Sequence, residues 1–199
     1  MVKPRLRGAA LLIRFADDAA IAFSLESDAR RVFEVLPKRF ERYGLQLHPE
    51  KTRLVPPGWP QGGARPGTFD LLGFTHFWKV SRNGNWVIAR KTAKGRLARG
   101  LHRITQWCKV NRHLPVKDQH KALVRKLTGH FAYYGITGNG LSLNRFRNGV
   151  MRAWRTWLRR RSQKTRLTWE RYNRLLKRYP LPSARVVHSI YRQAANPCS

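Results

Sequence analysis

The chain has 199 residues, with 41 Lys and Arg against 10 Asp and Glu and a formal charge of +31. That balance excludes an ordinary metabolic enzyme as the default reading, and a hydrophobic fraction of 42% with 11% aromatics excludes a disordered basic tail. The length suits one or two small domains that bury a core and need a polyanion around them. Cys108 and Cys198 lie far apart without a zinc-ligand spacing, so neither a disulfide framework nor a zinc module is implied. The runs Ala9 to Ile13 and Ala19 to Phe23 are too short to cross a bilayer. The expectation is a cytoplasmic protein whose partner is nucleic acid rather than a membrane.

Two apolar segments, Leu11 to Phe15 and Ala19 to Phe23, flank Ala16-Asp17-Asp18 and predict a β-hairpin with two carboxylates at its tip. Apolar residues at Ala29, Val32, Phe33, Leu36, Phe40 and Tyr43 predict a helix from about 27 to 43. Ser27 or Asp28 is its expected N-cap, Gly44 its stop and Pro37 a kink. Leu45-Gln46-Leu47 and Thr52 to Val55 read as short strands around the turn His48-Pro49-Glu50-Lys51. Residues 56 to 67 hold four Pro and four Gly, which denies them helix or central strand and predicts a surface loop. Phe69 to Val80 and Asn85 to Ala89 then read as two strands joined through Asn83-Gly84, a pair suited to a type I′ turn.

From Thr92 onward the period is helical. Leu97, Leu101, Ile104, Trp107 and Cys108 form one apolar stripe; His120, Leu123, Val124, Leu127, Phe131 and Tyr134 form a second. In a third helix Phe146, Val150, Ala153, Trp154, Trp157 and Leu158 gather on one side. Arg145, Arg152, Arg155 and Arg159 gather nearly opposite, so one face builds a core and the other presents an arginine ladder. A last helix is expected from Trp169 to Arg178, capped by Thr168 and stopped before Pro180. Charge is divided unevenly along this order: residues 1–70 carry 8 acids and 12 bases, and residues 71–199 carry 2 acids and 29 bases.

Adjacent carboxylates raise each other's pKa, a penalty that a divalent cation removes, and paired carboxylates are what two-metal phosphoryl transfer uses. Asp-Asp is also common in tight turns for backbone reasons alone. Basic runs allow two readings as well. Arg159-Arg160-Arg161-Ser162-Gln163-Lys164-Thr165-Arg166 suits a solvated helix end or a grip on phosphates, and 29 bases to 2 acids favours the grip. Arg96, Arg99, Arg103, Arg145, Arg152, Arg155, Arg159, Arg160, Arg161, Lys164 and Arg166 are therefore the candidate RNA contacts. Trp78, Trp86, Trp154, Trp157 and Trp169 read as core anchors rather than stacking platforms, and His102, His113, His120, His130 and His188 have no metal spacing.

Several segments resemble one family in the expected order. Phe15-Ala16-Asp17-Asp18 is similar to the Tyr/Phe-x-Asp-Asp catalytic hairpin of reverse transcriptases. Tyr43 to Thr52, reading YGLQLHPEKT, resembles the Gly-Leu-x-Leu-x-Pro-Glu-Lys-Thr segment that follows the hairpin in bacterial group II intron reverse transcriptases. Phe69-Asp70-Leu71-Leu72-Gly73-Phe74 resembles the Phe-Leu-Gly-Phe segment at the end of the palm. Residues 91 to 162, with Leu127 to Gly135 reading LTGHFAYYG, resemble the thumb and maturase-specific region.

The resemblance implies an α+β chain. Residues 1–90 would be the end of the palm, a small antiparallel sheet with a helix; 91–165 the helical thumb and maturase domain; and 166–199 a basic C-terminal extension. It implies Asp17 and Asp18 as catalytic carboxylates of a two-Mg²⁺ site, with Asp17 the stronger candidate, and Lys51 near the incoming nucleotide's phosphates. The family's fingers, first palm segment and third metal-binding Asp are expected to lie outside this chain, so the chain alone is expected not to polymerise, with a separate fingers and palm fragment as a further partner. The implied function is that of a fragment of an RNA-directed DNA polymerase and maturase. It binds group II intron RNA to assist splicing and, in the complete enzyme, handles an RNA/DNA hybrid. A stand-alone basic RNA-binding module without polymerase activity is the alternative.

Overall fold

The computed structural model describes residues 6–55, 67–81, 83–161 and 167–189. It is an α+β chain with five helices and two small antiparallel sheets, divided into two compact units, residues 1–89 and 90–199. The Pro- and Gly-rich stretch at 56–66, together with Lys164 and Arg166, lies outside the described residues.

In the first unit, strands β1 (Ala10–Phe15) and β2 (Asp18–Phe23) form a two-stranded antiparallel hairpin with Phe15 opposite Asp18 and Ala10 opposite Phe23. Helix α1 (Glu26–Glu41) follows. Its start differs from the expected cap: Leu25 is the cap residue and makes no side-chain cap bond, while Asp28 lies inside the first turn, buried. The Asp28 carboxylate is used instead across the chain, accepting the Gly8 backbone N–H at 2.8 Å. A side chain at Gly8 would collide with Ser24 and Leu25, which explains the glycine there. The expected stop at Gly44 holds. With φ +67, Gly44 places its N–H on Glu41 O at 3.0 Å and the Leu45 N–H on Phe40 O at 3.0 Å, the paired bonds of a Schellman end. The helix runs on through Pro37. The ring removes the N–H that the Phe33 carbonyl would accept, a loss made tolerable by exposure at Phe33.

Two strand expectations fail here. Residues 45–47 and 52–55 are irregular; only the turn between them forms, with Lys51 and Thr52 N–H both on His48 O. One sheet was expected, and there are two. The stretch from Phe69 is not one strand either, because β3 (Phe69–Leu71) turns back at Leu72-Gly73 into β4 (Phe74–Val80). Both turn residues have positive φ, 50° and 79°, as a type I′ hairpin requires. The strand β5 (Trp86–Thr92) completes the order β3-β4-β5. Its connection to β4 is closed by Gly84 N–H on Ser81 O and Ser81 N–H on Asn85 O, with Gly84 in the left-handed region, so Ser81 and Asn85 are the closing pair rather than the two neighbours of an Asn83-Gly84 turn.

The second unit is a helical bundle: α2 (Lys94–Val110), α3 (Val116–Tyr134), α4 (Gly140–Arg159) and α5 (Trp169–Arg178). Its core joins Ile104 and Cys108 of α2, Leu123, Leu127 and Phe131 of α3, Phe146, Val150, Trp154 and Leu158 of α4, Tyr172 of α5, and Leu181. The stripes read from the helical period are thus the ones that pack, and Leu167, Leu175, Leu176, Tyr179 and Ala184 pack against the same core. Helices α2 and α4 approach closely because small residues face large ones in both directions. Gly100 lies against Phe146, and Gly149 against Leu101. Thr168 caps α5 by accepting the Arg171 N–H at 3.3 Å, as expected.

Two buried amides hold the connections. Asn139, at the start of α4, accepts the Thr92 N–H and donates to Thr92 Oγ1 and Tyr134 O, each at 2.8 Å. Gln119 donates to Arg112 O at 3.2 Å and Leu114 O at 2.8 Å in the α2–α3 connection, and accepts from Trp154. The segment after α5 returns along α3 and α4, with Arg147 donating to Pro182 O at 3.0 Å and Val187 and His188 N–H on Gly135 O. No helix among the described residues is long and apolar enough to cross a membrane.

Candidate catalytic hairpin and nucleic-acid interface

The β1–β2 turn is the two residues Ala16-Asp17, since Phe15 and Asp18 are paired. Ala16 takes φ +48, a left-handed value that suits glycine better, and the Arg14 side chain steadies the turn by donating Nε–H to Ala16 O at 3.1 Å. Asp17 and Asp18 both end up exposed at the tip. Lys51 is exposed at the end of the His48 turn in the same unit.

Hard cations such as Mg²⁺ take carboxylate oxygens, so the pair at the tip has the right donor type. Among the described residues, however, no group of three or more His, Cys, Asp or Glu side chains stands close enough to share a metal ion. By itself the pair does not complete a two-metal site. The hairpin is also bare: Leu11 is 61% exposed and Phe15 66%, and Leu12 and Ile13 are exposed with them.

The bundle carries its charge on the faces that the core leaves free. Arg145, Arg152 and Arg159 recur every seven residues on α4, all exposed, on the side away from Phe146, Val150, Trp154 and Leu158. Arg155, expected in the same ladder, is different. Its guanidinium lies 3.8 Å from the centre of the Trp169 ring and reaches Leu167 O at 3.5 Å, while its Nε is buried with no hydrogen-bond partner. It joins α4 to α5 rather than standing free.

The remaining candidates vary in the same way. Arg160 is exposed yet sits 4.9 Å over the Trp157 ring, which Lys109 also approaches at 6.0 Å. Arg161 donates to His113 O at 3.3 Å. Arg96, Arg99 and Arg103 are exposed on one face of α2. A second basic line is absent from the candidates drawn from the sequence. Lys117, Lys121 and Arg125 are exposed at four-residue spacing on α3, a pattern that the sequence itself displays. Between 90 and 189 the described acids are Asp118 and Glu170, both exposed.

The buried titratable groups of the bundle serve packing. Burial pushes the Cys108 thiol up to about 12 against the opposing pull of Lys126, so it is not a nucleophile. Burial pulls His130 down to about 4; its ring stacks on Phe146 at 3.6 Å and its Nε2 has no partner. Burial and the neighbouring Tyr133 raise the Tyr134 phenol, with Arg96 and Arg99 acting the other way.

No family model matches this sequence, and no curated protein matches it.

Proposed function

We propose that this chain is an RNA-binding protein of the group II intron reverse transcriptase and maturase kind, containing the end of the palm and the helical thumb and maturase region. The observation that carries the reading is the exposed line Arg145, Arg152 and Arg159, set on a helix whose other face is locked into the core. A rigid helix sets the spacing of its cations before phosphate arrives, and planar guanidinium groups also suit RNA that presents unpaired bases. In this reading the protein's share in splicing is to bind intron RNA in its folded form, and the RNA supplies the chemistry.

The hairpin belongs to the same proposal. Asp17 and Asp18 are two carboxylates of a polymerase site, Mg²⁺ bound there would stabilise charge on transferring phosphoryl oxygens, and Lys51 would add a cation for nucleotide phosphates. With a third carboxylate lacking from the described group, the chain by itself binds RNA and does not extend primers. The stand-alone binding module is the rival reading, favoured by the bundle having a core of its own.

One pair of measurements tests both. The full chain should bind structured intron RNA with log affinity falling linearly against log salt, and bind it more tightly than unstructured competitor of equal length. Binding that ignores salt would overturn the RNA reading. Primer extension on an RNA template should be absent for the chain alone and appear when a fingers and first-palm fragment is added. Failure to appear with the fragment favours the binding module, and robust extension by the chain alone would overturn the assignment of a partial site.

A further inference from the structure

Tryptophans of the bundle divide sharply by environment. Trp154 is fully buried, whereas Trp169, the first residue of α5, is 51% exposed. An indole gains little stability from standing in water, and it is held there in a fixed orientation. The Arg155 guanidinium lies 3.8 Å from the ring centre, and Tyr172 meets the ring edge-on at 6.0 Å. Arg155 is itself tied down through Leu167 O, and it leaves its buried Nε without a hydrogen bond to keep this place. Such an unpaired buried donor has a cost, offset here by stacking on the half-exposed Trp169 ring.

The surroundings fit one class of ligand. Arg152 and Arg159 lie three residues before and four after Arg155, within about 6 Å along the α4 axis, and both are exposed. A flat aromatic surface bordered by phosphate-gripping cations is the arrangement that binds single-stranded nucleic acid, with a base on the ring and the backbone on the cations. Glu170 is turned about 100° around α5 from Trp169 and sits in the first turn, where a carboxylate complements the helix dipole. We propose that Trp169, oriented by Arg155 and bordered by Arg152 and Arg159, is a stacking platform for an unpaired base of RNA. This rests on the RNA-binding reading and adds to it the form of RNA recognised at the α4–α5 junction.

The test uses the full chain with two probes, an unstructured adenosine-rich RNA 12-mer and a perfect RNA duplex of the same length. Trp169→Leu should weaken 12-mer binding about tenfold at fixed salt. The salt slope should stay unchanged, because every phosphate-binding cation is still in place. Trp169→Phe should restore most of the affinity, and duplex binding should not change. Equal weakening on both probes, or none on the 12-mer, would overturn the platform while leaving RNA binding in place. If the wild-type chain binds neither probe at low salt, the RNA reading itself fails. A second measurement does not depend on how the variants fold: irradiating wild-type chain with a 5-iodouridine 12-mer should crosslink the Trp169 ring. Crosslinks found solely elsewhere would overturn the proposal.

Discussion

Trp154 of α4 donates its indole N–H to Gln119 Oε1 of α3 at 2.9 Å, with both side chains buried. The same Gln119 amide donates to two carbonyls of the α2–α3 connection, so one side chain links three parts of the bundle. Trp154→Ala should cost about 3–5 kcal/mol through the cavity it opens. Gln119→Leu leaves the Trp154 N–H and two carbonyls without partners and should cost about 1–3 kcal/mol. Urea melts of the two single variants and the double variant would check this. The double loss should fall short of the sum, since both singles break the same bond.

His130 gives the bundle a pH dependence. Its ordinary value is 6.5, and burial lowers it to about 4 in the folded state. The unfolded chain therefore binds a proton between those values that the folded chain refuses. Stability supplied by the neutral, stacked ring is present above pH 6.5 and is lost as pH falls toward 4. His130→Phe keeps a ring against Phe146 and removes the titration. Thermal midpoints from about pH 7 to about pH 4 should fall more steeply for the wild type than for this variant. Parallel curves would show that His130 is not the group responsible.

The hairpin turn offers a backbone test. Ala16 is exposed and holds φ +48, so Ala16→Gly removes strain without removing packing. Relief of about 1 kcal/mol is expected. It should appear as slower amide exchange along Ala10 to Phe23, with the bundle amides unaffected. Faster exchange throughout the hairpin would mean that the unfolded-state entropy of glycine outweighs the relief.

How much of this was legible depended on whether the signal was local. The stripes of α2, α3 and α4 were readable because a core face repeats every three to four residues, and the Schellman end at Gly44 because glycine tolerates its φ. The Leu72-Gly73 turn was not, since leucine has no preference for φ +50 and the pairing of β3 with β4 imposes it. Nor could the roles of Gln119 and Asn139 be seen. Their partners lie as far as 35 and 47 residues away in sequence, so nothing in either neighbourhood marks them as buried. Arg155 shows the same limit at the candidate interface. Its helical angle lies about 40–80° from those of the exposed arginines, on the same half of α4, and the position of α5 reveals that Trp169 covers it.

The α4 arginines divide along the same line. Arg145, Arg152 and Arg159 are exposed, so replacing all three with Gln should leave the thermal midpoint nearly unchanged. Affinity for structured RNA should fall, and the slope of log affinity against log salt should shrink by roughly 0.7 to 0.9 for each phosphate that is no longer neutralised. Arg155→Gln should show the opposite pattern in melt and salt slope. Removing the stack on Trp169 and the bond to Leu167 O should loosen α5 and lower the midpoint, with little change in salt slope. The two variants thus separate cations that meet phosphate from a cation that holds the fold. A triple variant with an intact melt and an unchanged slope would move the RNA surface elsewhere on the bundle, to Arg96, Arg99 and Arg103 on α2 or to Lys117, Lys121 and Arg125 on α3.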